Sequence, residues 1–240
     1  MARRRPPPWA SAALKVLAAI VVVALVQAFA FKLGRIPSGS MERTLRSSEA
    51  GGDRVLINRL AYLAGASPQP GDIVVFTRPA TWAADAPADS AGGLADVVRR
   101  FGDLTGIGPS HEEHLVKRVI ARAGQTVACC DADGRLERDG QGIDEPYVFE
   151  DLPFVRGRLD CTTAPRSLRC FGAFAVPEGQ LVVLGDHRSV SADSLIACRS
   201  SQPADSAPSP ESCVRTVALG DIVGRVDVRI WPLGRLGPVG

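Results

Sequence analysis

Leu115-Val116-Lys117-Arg118-Val119-Ile120-Ala121 is the stretch whose reading decides the fold. It is a short, mostly apolar run, the pattern of a β-strand. Alternation along a strand places Lys117 on one face with Leu115 and Val119, and Arg118 on the other. Four more runs read the same way: Arg54-Val55-Leu56-Ile57, Asp72-Ile73-Val74-Val75-Phe76, Leu181-Val182-Val183-Leu184 and residues 222–231. Each is bounded by Gly, Pro, Asp or Asn, and long helical periodicity is missing between them. The expected fold class is therefore mostly β, an antiparallel sheet or partial barrel.

Two stretches heavy in Ala, Asp, Ser, Pro and Gly, about 78–114 and 196–216, read as surface insertions. Within the first, Leu94, Val97, Val98, Phe101 and Leu104 recur at the spacing of one short amphipathic helix. Residues of about 128–175 hold four of the six cysteines, which suggests a smaller, stapled subdomain inserted in the sheet. Spacing favours Cys161 with Cys170 and Cys198 with Cys213, while adjacent Cys129 and Cys130 could divert either pair.

The chain opens with Arg3, Arg4 and Arg5, and from about Ala10 to Phe31 it is apolar apart from Lys15, Gln27 and a serine. That is about the ~20 residues a transmembrane helix needs, with Lys15 near enough to the basic end to snorkel. The arginines predict a cytoplasmic tail over residues 1–9 and send residues 32–240 to the outer side. Ala28-Phe29-Ala30 also matches a cleavage pattern, so a cleavable leader competes with a retained anchor. Either reading suits disulfides. The remaining composition, 45% apolar and 22% charged with a net charge of +2, is globular and gives no electrostatic reason to expect a nucleic-acid partner.

Of 28 Lys and Arg residues only Lys15, Lys32 and Lys117 are lysine. Arginine keeps its proton in proteins, whereas a desolvated lysine can lose it and act as a general base. Lys117, on its apolar strand, is the one lysine of the outer part beyond the membrane boundary. A nucleophile is offered by Pro37-Ser38-Gly39-Ser40-Met41, where two hydroxyls flank a glycine at a turn. Three histidines could serve as base instead. His111 and His114 fall in the polar insertion and read as solvated loop residues; His187, beside Asp186, could belong to a Ser/His/Asp arrangement. The turn Gly185-Asp186-His187-Arg188-Ser189-Val190-Ser191-Ala192-Asp193-Ser194 could aim a hydroxyl at a buried amine.

Taken in order, the apolar segment, Pro37-Ser38-Gly39-Ser40-Met41, Pro70-Gly71-Asp72-Ile73-Val74, Val116-Lys117-Arg118-Val119-Ile120, Asp144-Glu145-Pro146-Tyr147 and residues 185–194 resemble bacterial type I signal peptidase. The resemblance implies a mostly β fold and a membrane-bound serine endopeptidase that removes signal peptides from exported preproteins, cutting after small-x-small sequences without a cofactor or metal. It implies Ser40 as nucleophile, Lys117 as general base, and Ser38 with the Ser40 N–H in the oxyanion hole. Ser191 matches the serine that orients the lysine amine, and Asp186, Arg188, Asp193 and Arg118 match residues that hold the site by ion pairs. The expected partners are exported preproteins and the lipid bilayer. The expected form is a monomer in the cell membrane, spanning it once, with a retained anchor over residues 10–31, the tail cytoplasmic and the catalytic domain on the outer face.

Some positions depart from the family pattern. Arg43 stands where the family has Pro, and Leu195 where it has the arginine that partners the Asp193 position, leaving Asp193 to Arg188 or another arginine. Loss of that partner would suit a catalytically impaired homologue acting as a binding or assembly module. A self-cleaving Ser/Lys protease, being soluble, conflicts with residues 10–31.

Overall fold

The β-branched runs form the strands they predict, and the chain threads them into two antiparallel sheets. The computed structural model describes residues 8–47, 51–82, 93 and 114–239. The helix expected over Leu94, Val97, Val98, Phe101 and Leu104 lies outside these residues, as does His111.

The elements in order are α1 (Pro8–Phe29), β1 (Phe31–Arg35), β2 (Arg54–Asn58), β3 (Ile73–Thr77), β4 (His114–Arg122), β5 (Thr126–Cys129), β6 (Leu136–Arg138), β7 (Gln141–Gly142), β8 (Phe171–Ala175), β9 (Gln180–Leu184), β10 (Val217–Ala218), β11 (Ile222–Trp231) and β12 (Gly237–Pro238). The larger sheet runs β1-β2-β11-β3-β4-β9-β10, with β12 added to β11. The smaller runs β7-β6-β5-β8. It is spliced between β4 and β9, which are themselves neighbours, through turns whose Gly124 and Gly179 take positive φ. Cys129 ends its strand β5, and Cys161 and Cys170 lie in the chain between β7 and β8.

Both faces of the larger sheet are covered, which explains why β3 is a continuous apolar run. On one side Val74, Phe76, Trp82, Val119, Leu181, Val183 and Val217 pack together. On the other, Ile36, Met41, Leu45, Val55, Ile57, Ile73, Val75 and Val226 form a second cluster. A third, with Ile120, Val127, Leu136, Phe171, Phe174, Val182, Leu184 and Leu195, welds the two sheets. The larger sheet curls: Lys32 Nζ on β1 reaches His114 Nε2 on β4 at 3.4 Å, although three strands separate them in the sheet.

α1 ends at Phe29, two residues before the expected Phe31, because Phe31 is already paired with Asn58 in β1–β2. Its side chains Leu14, Leu17, Ile20, Val22 and Leu25 are exposed in every direction. Among the described residues no helix is long and apolar enough to cross a membrane.

All six cysteines are bridged. Cys161–Cys170 and Cys198–Cys213 form as spacing favours, and Cys129 and Cys130 bridge each other, which leaves both longer pairs undisturbed. Cys198–Cys213 closes the second insertion against the core. By loop entropy, a bridge across 15 residues is worth about 3 kcal/mol. Replacing both Cys198 and Cys213 by serine is expected to lower the free energy of urea unfolding of the full chain by about 2–3 kcal/mol. An unchanged midpoint would show that the insertion is held by its other contacts.

Candidate active site

Ser40 sits in a single helical turn, Gly39–Met41, entered from an extended Ser38. The turn is fixed from beneath because Ile36, Met41 and Leu45 are driven into the core. β4 brings Lys117 up beside it, in register with Val74 of β3. Lys117 is 3% exposed, and its Nζ donates to Ser40 Oγ at 2.7 Å. Ser38 Oγ lies 3.3 Å from Ser40 Oγ. Two residues 77 apart in sequence are thereby in hydrogen-bond contact at the end of a cleft.

Burial is the largest influence on Lys117 and pushes its amine down to about 8; Asp193 and Asp186 pull the other way, while Arg199 and Arg78 add to the lowering. Both carboxylates are themselves occupied. Asp186, fully buried, accepts from Arg118 Nε at 2.9 Å and Nη2 at 2.7 Å, and from Thr44 Oγ1 at 2.5 Å. Arg118 also donates to the Gly71 carbonyl, and its guanidinium stacks 3.8 Å above the Tyr147 ring. Such forked pairing and stacking suits a buried arginine.

Asp193 accepts from the Gly185 and Leu195 amides and, at 3.4 Å, from Arg199 Nη2. Leu195 itself is buried between the sheets, so the guanidinium facing Asp193 comes from Arg199. Arg188 pairs with Glu145 instead, at 2.6 Å and 3.1 Å, and donates Nε to the Gly185 carbonyl. Sequence reasoning gave Glu145, Arg199, Thr44 and Tyr147 no role. Glu145 and Tyr147 lay in a recognised motif without a visible partner, and Arg199 lay in an insertion that reads as mere surface.

Ser191 is fully buried, but its Oγ makes no hydrogen bond; the expected bond to Lys117 is absent here, the lysine amine being directed at Ser40. Gly185 explains how the Ser191 side chain and the Ser40 backbone pack against the same point. A Cβ on Gly185 would stand 2.5 Å from the Ser40 carbonyl oxygen and closer still to Ser191 Oγ. Only glycine fits.

Of the histidines, His114 is not a loop residue: it begins β4, half-buried, and lines the cleft. His187 borders the Ser40 turn but is not aimed at Ser40 Oγ. Its Nδ1 faces the Gly39 carbonyl at 3.2 Å, its Nε2 faces Glu150 at 3.1 Å, and its backbone N–H donates to the Ser40 carbonyl at 3.0 Å. A Ser/His/Asp arrangement is therefore not formed.

The cleft holds about 630 Å³ and is lined by residues including Pro37, Ser40, Arg78, His114, Lys117 and Val190. Beside the Ser40–Lys117 pair lies a recess of about 30 Å³, walled by Ile36, Pro37, Met41, Leu115 and Val116 among others.

The family model described as "Signal peptidase, peptidase S26" matches residues 9–231. The chain is 35% identical over 245 residues to a probable signal peptidase I of Mycobacterium leprae, covering 99% of this chain and 81% of that one. It is 34% identical over 241 residues to a signal peptidase I of Mycobacterium tuberculosis, covering 98% and 78%. A crystal structure of a signal peptidase I from Enterococcus faecalis aligns with 67% of this chain and 97% of its own at 20% identity, with a TM-score of 0.33.

Two outcomes are expected of this geometry. Gly185→Ala should lower stability by about 1–3 kcal/mol, the usual cost of overpacking, seen as a lower urea midpoint. Lys117→Met should raise the thermal midpoint at pH 7, because it removes a charge whose burial is unfavourable in the folded state. The folded amine titrates near 8 and the unfolded one near 10.5, so the burden is full below pH 8 and gone by about 10.5. The advantage of Lys117→Met should fade across that window.

Proposed function

We propose, for a chain that belongs to the signal peptidase family, peptidase S26, and is a serine endopeptidase removing signal peptides from exported preproteins, that Ser40 is the nucleophile and Lys117 its general base. The observation that carries this reading is the 2.7 Å contact of Lys117 Nζ with Ser40 Oγ in a buried setting. Unprotonated Lys117 takes the Ser40 hydroxyl proton as Oγ attacks the scissile carbonyl. The Ser40 N–H and the Ser38 hydroxyl donate to the oxyanion, and the ammonium of Lys117 returns its proton to the departing amine. Water, deprotonated by Lys117, then hydrolyses the ester. Once Ser40 is acylated, Ser191 Oγ is the acceptor left nearby to orient the lysine amine. Asp186, Arg118, Asp193, Arg188 and their partners Arg199 and Glu145 keep the two loops in place.

The ~30 Å³ recess beside the dyad accepts about a methyl group, which supports cleavage after a small side chain. Cleavage after a small-x-small sequence follows if a second small residue is needed where the chain leaves the cleft. Every group named comes from one chain, which supports action as a monomer.

The anchor belongs to the same reading. Residues 10–31 of the sequence carry one charge, Lys15, and the 22 residues of α1 would measure about 33 Å along the axis. Apolar side chains exposed on all sides need a solvent as apolar as themselves. With Arg3, Arg4 and Arg5 on the near side, the catalytic domain is on the outer face, and Ser40 follows the helix by eleven residues. A non-catalytic binding module, suggested by Leu195, loses its motive because Arg199 meets Asp193.

Preprotein cleavage by Ser40→Ala, Lys117→Ala and Lys117→Arg is the direct test. All three should fall by at least about a thousandfold, Lys117→Arg included, since a guanidinium keeps its proton. For the wild type, kcat/KM should rise tenfold per pH unit below about 8 and level off above it. Cleavage by Lys117→Arg at a normal rate would overturn the dyad.

A further inference from the structure

We propose that His187 is a positioning residue for the oxyanion hole: it fixes the peptide bond whose N–H belongs to Ser40. This rests on the reading of that N–H as an oxyanion donor. The Gly39–Ser40 peptide is trans, so its carbonyl and its N–H lie in one plane and point in opposite directions. Whatever holds the Gly39 carbonyl therefore aims the Ser40 N–H.

Among the described residues two donors hold that carbonyl. One is the Glu42 amide at 3.1 Å, a local bond that closes the helical turn. The other is His187 Nδ1 at 3.2 Å, from a loop 148 residues away in sequence. The carbonyl can only accept, so Nδ1 carries the hydrogen. Donation to a carbonyl also polarises its peptide and makes the N–H at the far side a stronger donor. His187 grips the next peptide as well, since its backbone N–H donates to the Ser40 carbonyl at 3.0 Å. One residue thus brackets the nucleophile on both sides.

The ring is itself held. Phe149 packs against it with centroids 4.8 Å apart, and Glu150 Oε2 meets Nε2 at 3.1 Å. The segment carrying both is bonded to the His187 loop, through Phe149 N–H to the Asp186 carbonyl, Arg188 N–H to the Phe149 carbonyl and Ser189 N–H to the Glu150 carbonyl. Glu150 adopts φ 41°, a left-handed conformation uncommon outside glycine. Packing and donation by the ring are separable, which gives the test.

Steady-state cleavage of a preprotein is measured for His187→Asn, which keeps an N–H donor near the position of Nδ1, and for His187→Leu, which keeps apolar bulk against Phe149 but donates nothing. Thermal unfolding is followed in parallel, with His187→Phe replacing the leucine variant if that does not fold. The expected result is a roughly tenfold lower kcat with KM unchanged for His187→Leu, and a kcat within about threefold of wild type for His187→Asn. An unimpaired His187→Leu, an asparagine variant as slow as the leucine one, or a loss confined to KM overturns the proposal. Ser40→Ala and Lys117→Ala are run alongside. If either cleaves, the dyad reading falls and this proposal with it. If both are dead while His187→Leu is normal, the dyad stands and only the positioning role is lost.

Discussion

Everything around the site answers to one constraint, an amine taken out of water beside a hydroxyl. A buried ammonium needs counter-charge, and enough counter-charge nearby would keep Lys117 protonated and useless as a base. The chain supplies two carboxylates within electrostatic reach, Asp186 and Asp193, and engages each with an arginine. Their pull on the amine is thereby partly cancelled, and burial remains the larger influence. The same carboxylates still favour the charged form of the amine. Arginine suits the supporting positions because its charge does not depend on the state of its neighbours.

The strands and the two residues that meet in the cleft, Ser40 and Lys117, stood out because each is a local signal. Runs such as Ile73-Val74-Val75-Phe76 are bounded by turn residues, and a lone lysine on an apolar strand is conspicuous among arginines. Lys117 and Arg118 are both buried, as neither an exposed strand nor a solvated pair would have them, and each for its own reason: one faces Ser40 and the other Asp186. The support was illegible because it is pairwise and distant. Nothing in Arg199 announces Asp193, or in Glu145 announces Arg188. His114 was misplaced for a related reason: the polar composition of the insertion extends to its last residue, whereas pairing with Thr77 makes that residue the start of β4. β5, β6 and β8 left no alternation long enough to read, being only four, three and five residues long.

The smaller sheet earns its position by what it returns to the larger one. Inserted between β4 and β9, it lets neighbouring strands be connected by residues 123–179, and within them the segment from Glu145 to Glu150 runs back to bond the Asp186–Arg188 loop. The insertion is therefore structural for the site even where it is remote from Ser40.

The adjacency of Lys117 and Arg118 on opposite faces of β4 has a consequence for strand pairing. Side chains alternate strictly, so sliding β4 by one residue would turn a guanidinium toward Ser40 and bury the amine against Asp186. The sheet would look almost the same and contain the same residues, yet the group beside Ser40 would be one that keeps its proton. The pairing of β4 with β3 is regular from Ile73 to Thr77, and the bulge in its pairing with β9 falls beyond Val119, after both residues have been placed. Register, ordinarily a matter of folding fidelity, is here the setting that decides whether the group set against Ser40 is one that can lose its proton.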